Sequence, residues 1–239
     1  MNCKLYYWPV PFRGNFIRVL LAEAGEKYDE ATDEEIVDLM SLPLQEQPLP
    51  SMAPPFFYDG DSNIFLSQMP AIVMYLADKL NLLPDDPWRS HLCLKLLLDS
   101  NDVLIDITNW NGTAMWDRAS WRQFRTERLK RWLELFEQLG QQFGLGSTSV
   151  YLLGGTQITV ADLATYALWG TMTRCLPQLR ADCQQQAPHI YELCQQIEQR
   201  PKVQQFVKAQ LAKSDDLYCG GQIERSIRHM LEQDATNAS

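Results

Sequence analysis

Thiols and paired prolines are the features of this chain that invite chemistry, and they point in different directions. Six cysteines are present: Cys3, Cys93, Cys175, Cys183, Cys194 and Cys219. A thiolate can attack, bind a metal or pair with a second thiol, and each task demands particular neighbours. The six are scattered, with no CxxC and no Cys/His spacing, which argues against zinc and against a small disulfide scaffold. None stands at the close of the first apolar run or at the start of the helix after it, where a thiol redox site would need one. They read as reduced, mostly buried thiols of a cytosolic protein. The stretch MAPPFFYDGD, residues 52–61, is different. Proline has no N–H, so it belongs at the first residue, the edge or the turn of a strand. Pro54 and Pro55 in succession mark a rigid backbone corner ahead of an apolar run. Either bond is a candidate for the cis form, which is largely a proline phenomenon. Such a corner either ends a loop or presents backbone to a ligand.

The elements that must hold these groups follow from hydrophobic period. CKLYYW, residues 3–8, reads as a strand; alternation puts Tyr6 and Tyr7 on opposite faces, so only one phenol faces any site there. NFIRVLLAEAG reads as a helix, with Phe16, Ile17, Leu20, Leu21 and Ala24 at helical spacing and Gly25 as its stop. KYDEAT reads as a second strand and DEEIVDLMSL as a short acidic helix. FFYDGDSNIFL has two apolar runs around Asp-Gly, a β-hairpin signal. SQMPAIVMYLADKLNLL reads as a helix with Pro70 in its first turn. The segment LPDDPWRS, residues 83–90, reads as a linker. Beyond it the spacing is helical: residues 88–110, 119–144, 158–176, and 187–211 as one or two helices broken at Pro201. VYLLGG is a brief strand signal. The expected organisation is an α/β domain over 1–82, a linker over 83–90, an all-helical domain over 91–230 and a disordered tail over 231–239.

Composition is that of a globular protein, 46% apolar and 21% charged, with a formal net charge of −9. An acidic surface repels phosphate backbones and anionic lipid, so nucleic acid is not expected as a partner. A local basic pocket for a small anion stays open. The start MNCKLYYWPV lacks the long apolar core of a signal peptide, and no run is long enough to span a bilayer. The expected location is cytoplasmic.

Three local patterns make the chain, over roughly residues 3–210, resemble the cytosolic glutathione transferases. YWPVPFRGNFIRVLLAEAG is similar, without a gap, to the opening of the tyrosine-type classes. Pro55 with the hairpin and SQMPAI resembles the cis-proline strand and helix start that hold glutathione. ITVADLATYAL, with Thr159 as N-cap and Asp162 three residues on, is similar to the family's capping box. The resemblance implies a thioredoxin-like N-terminal domain followed by an all-α domain. It also implies a homodimer that uses glutathione as co-substrate, without a metal.

Site roles follow by the same resemblance. Tyr7 falls at the catalytic tyrosine, whose hydroxyl would steady the glutathione thiolate for attack on an apolar electrophile or an organic hydroperoxide, the chemistry of detoxification. A free thiol of pKa ~8.5 is mostly protonated at neutral pH, and a hydrogen bond to the thiolate lowers that value. Arg13 matches a family arginine and either faces the ligand's carboxylates or forms a structural ion pair. Pro54 would offer glutathione only its carbonyl, because it has no N–H. Gln68 matches the helix-start residue, while Met69 replaces the usual hydroxyl and leaves its backbone N–H and the helix dipole to bind a carboxylate. Asp102 would reach the glutathione amino group across a dimer interface. Trp8, Trp110, Trp116 and Trp121 are candidate walls of an apolar pocket, and as readily core or interface residues. The alternative function is a non-enzymatic binding or interaction protein of this fold, favoured by the donors lost at Pro54 and Met69.

Overall fold

Burial alternates along strand β1, Cys3–Tyr6, with Cys3 and Leu5 inside and Lys4 and Tyr6 half-buried, as a pleated strand covered on one face requires. The structure is a computed structural model that describes residues 1–214 and 216–237. β1 pairs in parallel with the short β2, Asp29–Glu30, and antiparallel with β3, Phe56–Asp59; β3 pairs with β4, Ile64–Ser67, to give the order β2-β1-β3-β4. The parallel pair needs a crossover, and helix α1, Phe12–Ala24, supplies it. Gly25 ends α1 at φ 79°, its N–H reaching the Ala22 carbonyl. Helix α2, Asp33–Ser41, starts with a Thr32–Glu35 capping box.

Helix α1 is central. Phe16, Ile17, Leu20 and Leu21 are buried, and α1 packs on α3, Met69–Lys79, and on helices of the second half, residues 160–175 and 201–214. One apolar core therefore runs from Leu5 and Ile17 through Leu96 and Leu104 to Phe136 and Trp169. The second half is helical: α4, Pro87–Ile107; residues 118–142, with a π-helical stretch at Phe124–Leu129; residues 160–175, with another at Tyr166–Gly170; then Arg180–Gln186, Pro188–Glu198, Pro201–Ser214 and Gly221–Asn237. The thioredoxin-like unit followed by an all-α region matches the expected fold. Among the described residues, no helix is long and apolar enough to cross a membrane.

Four expectations need correction. α4 begins at Pro87, inside the expected linker, because Asp86 accepts from the Trp88 N–H (3.0 Å) and proline suits a first helical turn. It ends at Ile107 rather than running to Trp110, since Asn109, Trp110, Asn111 and Gly112 all take φ between 48° and 78°. VYLLGG is a loop. The expected disordered tail is helical from residue 231 to Asn237 and buries Leu231; residues 238–239 lie outside the described residues.

Candidate functional site

Register fixes the site. Tyr6, the last residue of β1, sits beside Phe56, the first of β3, and Phe56 sits beside Ser67, the last of β4. The residues one step beyond the sheet, Tyr7, Pro55 and Gln68, therefore emerge side by side at one end. With strands about 4.8 Å apart, the three backbones fall within ~10 Å of each other.

Tyr7 is 6% exposed, whereas Tyr6 lies half-buried on the other face with its ring 6.1 Å from that of Phe65. α1 passes close over Tyr7: a Cβ at Gly14 would stand 2.4 Å from the Tyr7 ring, so glycine is needed there. Burial pushes the Tyr7 phenol up to about 12, against the opposing pull of Arg13 and Arg18. Tyr7 is thus a protonated donor at neutral pH.

The two arginines of α1 differ. Arg18 is closed on protein groups: it holds the Glu30 carboxylate with two bonds of 2.8 and 2.7 Å and donates to the Val10 and Trp8 carbonyls. It pins the turn that follows Tyr7. Arg13 donates to two neutral amides, Asn101 Oδ1 (3.1 Å) and Asn111 Oδ1 (2.9 Å). Among the described residues no carboxylate pairs with it, so the structural ion pair weighed from sequence is not formed. Burial lowers its pKa, and neighbouring Tyr7 works the other way. The left-handed turn 109–112 is what carries Asn111 to Arg13. Consecutive left-handed residues are costly outside glycine.

The bond Pro54–Pro55 is cis, and Pro55 is buried while Pro54 is half-exposed. Gln68 is exposed at φ 71°, a region that side-chain-bearing residues avoid, and its side chain makes no capping bond to α3. Met69, the first residue of α3, is core at 1% exposure, so its side chain supplies no polar group at this helix start. Asp102 is exposed on α4, one residue beyond Asn101, and does not join the cluster within this chain; burial and the carboxylates Asp99 and Asp106 raise its pKa. Trp8 is half-buried and Trp110 is 68% exposed in the left-handed turn. Trp116 packs on Trp121 and Phe124 with ring centroids 5.4 and 5.1 Å away, and its Nε1 donates to the Ile107 carbonyl. Trp121 is core. Trp116 is half-buried against it. Among the described residues no group of three His, Cys, Asp or Glu side chains gathers as metal ligands.

The C-terminal segment is the part that sequence reading missed. Phe12, at φ 31°, donates its N–H to the Tyr218 carbonyl (3.2 Å), and the two rings meet edge-on at 5.5 Å. One Glu224 oxygen accepts from the N–H groups of Tyr218, Cys219 and Gly220, which closes the start of the last helix. The signal was present: Gly220-Gly221 precedes Ile223, Ile227, Met230 and Leu231 at helical spacing. A cavity of about 330 Å³ adjoins Tyr7 on the side of β2 and helix 201–214, bounded by Val10, Tyr28, Glu30, Phe206 and Lys213.

Residues 92–230 match the family model described as "Glutathione S-transferase, C-terminal domain". A Dictyostelium discoideum protein provisionally named glutathione S-transferase alpha-5 is 25% identical over 209 residues, which cover 86% of this chain and 94% of that one. The Pi-class glutathione S-transferase of Onchocerca volvulus superposes with a TM-score of 0.72 at 22% identity, over 89% of this chain and 95% of that one. A monomeric glutathione S-transferase of the hookworm Necator americanus does so at 0.69 and 19% identity, over 87% and 97%. The last two are likenesses of fold.

Proposed function

From a chain that belongs to the glutathione S-transferase family, we propose a glutathione transferase in which the Tyr7 hydroxyl donates a hydrogen bond to the thiolate of bound glutathione. The observation that carries the proposal is the alignment of Tyr7, Pro55 and Gln68 at one sheet end, beside an Arg13 that lacks an acid partner. A phenol that stays protonated is a donor, and the charge of Arg13 adds a favourable field for an anion. The thiol gives its proton to solvent. The thiolate then forms a C–S bond at an apolar electrophilic carbon as that carbon's leaving group departs as an anion, or it takes the distal oxygen of an organic hydroperoxide. In the second case the O–O bond breaks to release the alcohol, and the resulting sulfenic acid condenses with a second glutathione to disulfide and water. Two bonds to the tripeptide follow from backbone chemistry: the Pro54 carbonyl accepts from the cysteinyl N–H, and the Met69 N–H at the start of α3 donates to the γ-glutamyl carboxylate. Asp102 acts on a second copy, in a cytoplasmic homodimer serving detoxification.

The test is retention on immobilised glutathione, then conjugation of a chlorodinitrobenzene by wild type and Tyr7→Phe. Retention with turnover that collapses in Tyr7→Phe supports the proposal. Turnover untouched in Tyr7→Phe moves the donor elsewhere. A second reading, a binding protein without turnover, is favoured by the donors missing at Pro54 and Met69; retention without any turnover in wild type selects it.

A further inference from the structure

The helical half holds a positive cleft in a molecule of net charge −9. It is about 600 Å³ and is lined by Arg118, Arg122, Arg125, Lys130, Asp182 and Asp234. Four cations thus face two carboxylates, against the field of the whole chain. Arg118 and Arg122 stand one helical turn apart and exposed, and among the described residues neither has an acid partner. Like charges at this spacing repel, so the pair destabilises the helix that carries it. Lys130 has only a loose contact with Glu134, at 3.7 Å.

Arg125 is different, because it ties the cleft to the C-terminal helix. It donates from Nε and Nη2 to Asp182 (3.0 and 2.8 Å) and from Nη1 to Asp234 (2.8 Å). Trp121 Nε1 shares the same Asp234 oxygen at 3.0 Å. The π-helical stretch Phe124–Leu129 contains Arg125; an added residue in a helical turn re-aims the side chains that follow and often marks a functional position. Asp234 lies on the helix Gly221–Asn237, which also binds Trp116 N–H through Ser226 Oγ (2.8 Å).

We propose that this cleft binds a small, multiply charged oxyanion through Arg118, Arg122 and Lys130, and that the anion competes with Asp234 for Arg125 and loosens the C-terminal helix. Guanidinium groups pair with phosphate and carboxylate oxygens in the same forked geometry, so the shared chemistry is an oligophosphate or an oligocarboxylate. No aromatic side chain lines the cleft, so the charged groups alone are recognised.

The test uses the full chain at low ionic strength, titrated calorimetrically with inorganic tripolyphosphate and, separately, with citrate. Hydrogen exchange of residues 221–237 is followed in parallel. Saturable binding is expected, weakened about tenfold or more in Arg118→Glu/Arg122→Glu and by added salt. Backbone exchange over 221–237 should quicken when the cleft is filled. Binding of both anions identifies the charge pattern as sufficient, and binding of tripolyphosphate alone identifies the phosphoryl group. The neutral pair Arg118→Gln/Arg122→Gln, judged folded by a melting temperature no lower than that of wild type, stands in if the reversed pair fails to fold. The absence of saturable heat, or equal affinity in a folded variant, overturns the site. Binding with unchanged exchange over 221–237 overturns its link to the C-terminal helix.

Discussion

Two helix starts in this molecule are built in opposite ways. At the helix that begins at Val160, Thr159 and Asp162 close on each other, and Asp162 also takes the Leu152 N–H at 2.7 Å; every group involved is protein, and Asp162 is fully buried. At the start of α3, Gln68 sits in an unfavourable backbone region and makes no side-chain cap, so the first N–H groups of that helix receive nothing from its side chain. The first is a joint; on the proposed function the second is a socket. Buried polar groups meant only for stability find partners within the chain, whereas a site that awaits a ligand stays incomplete.

The contrast breaks most visibly at Asp162. Asp162→Ala leaves the buried Leu152 N–H and the half-buried Thr159 N–H without acceptors and should cost about 3 kcal/mol of unfolding free energy. Urea denaturation measures it, and a loss below about 1 kcal/mol would show that the joint is not closed as described. Next comes the socket's neighbour. Tyr7→Phe keeps the ring that packs against Gly14 and removes only the hydroxyl. Conjugation should fall about a hundredfold, roughly 2.7 kcal/mol, with stability changed by under ~0.5 kcal/mol. Because the phenol titrates only at about 12, the wild-type rate should show no alkaline decline below pH ~10 that can be assigned to Tyr7. Such a decline, absent in Tyr7→Phe, would contradict the burial argument.

Much of this contrast was legible beforehand. Thr159, Asp162 and the Asp-Gly hairpin carry their signals within a few residues, and the structure realises them where sequence put them. Pro54–Pro55 announced a corner in the same way. Arg13 did not declare its partners, because Asn101 and Asn111 approach it from far along the chain, one of them through a left-handed turn that breaks the helical period. Met69 was legible as a helix start, but not as a core side chain. Trp116 stayed open between pocket wall and core, because spacing alone does not show that Trp121 and Phe124, one and two turns into the next helix, fold back onto it. The last helix was missed for a different reason: its charged residues mask an apolar stripe that was there to be counted.

The opposite end of the sheet offers a smaller test. Asp59, buried at the close of β3, accepts from Lys79, Tyr75 and the Asp61 N–H. Burial alone would raise its pKa, but these partners hold it down to about 2. A carboxyl whose folded pKa is depressed stabilises the fold above its ordinary value near 4, and loses that contribution as pH falls toward 2. Stability should therefore drop by roughly 2 kcal/mol across that window, and Asp59→Asn should flatten the drop. An identical acid profile in wild type and variant would remove Asp59 from the account.

The finest test lies at the socket itself, where stability and binding should move in opposite directions. Gln68 holds φ 71° with a side chain attached, and glycine reaches that region without a Cβ penalty. Gln68→Gly adds freedom to the unfolded chain, which offsets part of the relief, so the net gain should be only about 1 kcal/mol. The same change removes the amide that the family resemblance assigns to glutathione and lets the backbone at the start of α3 wander. Retention on immobilised glutathione should weaken by a few fold while the melting temperature rises by a few degrees. If the variant melted lower, the backbone would not be strained. If it bound as well as wild type, the strain would hold nothing for the ligand, and α3 would be a helix start like any other.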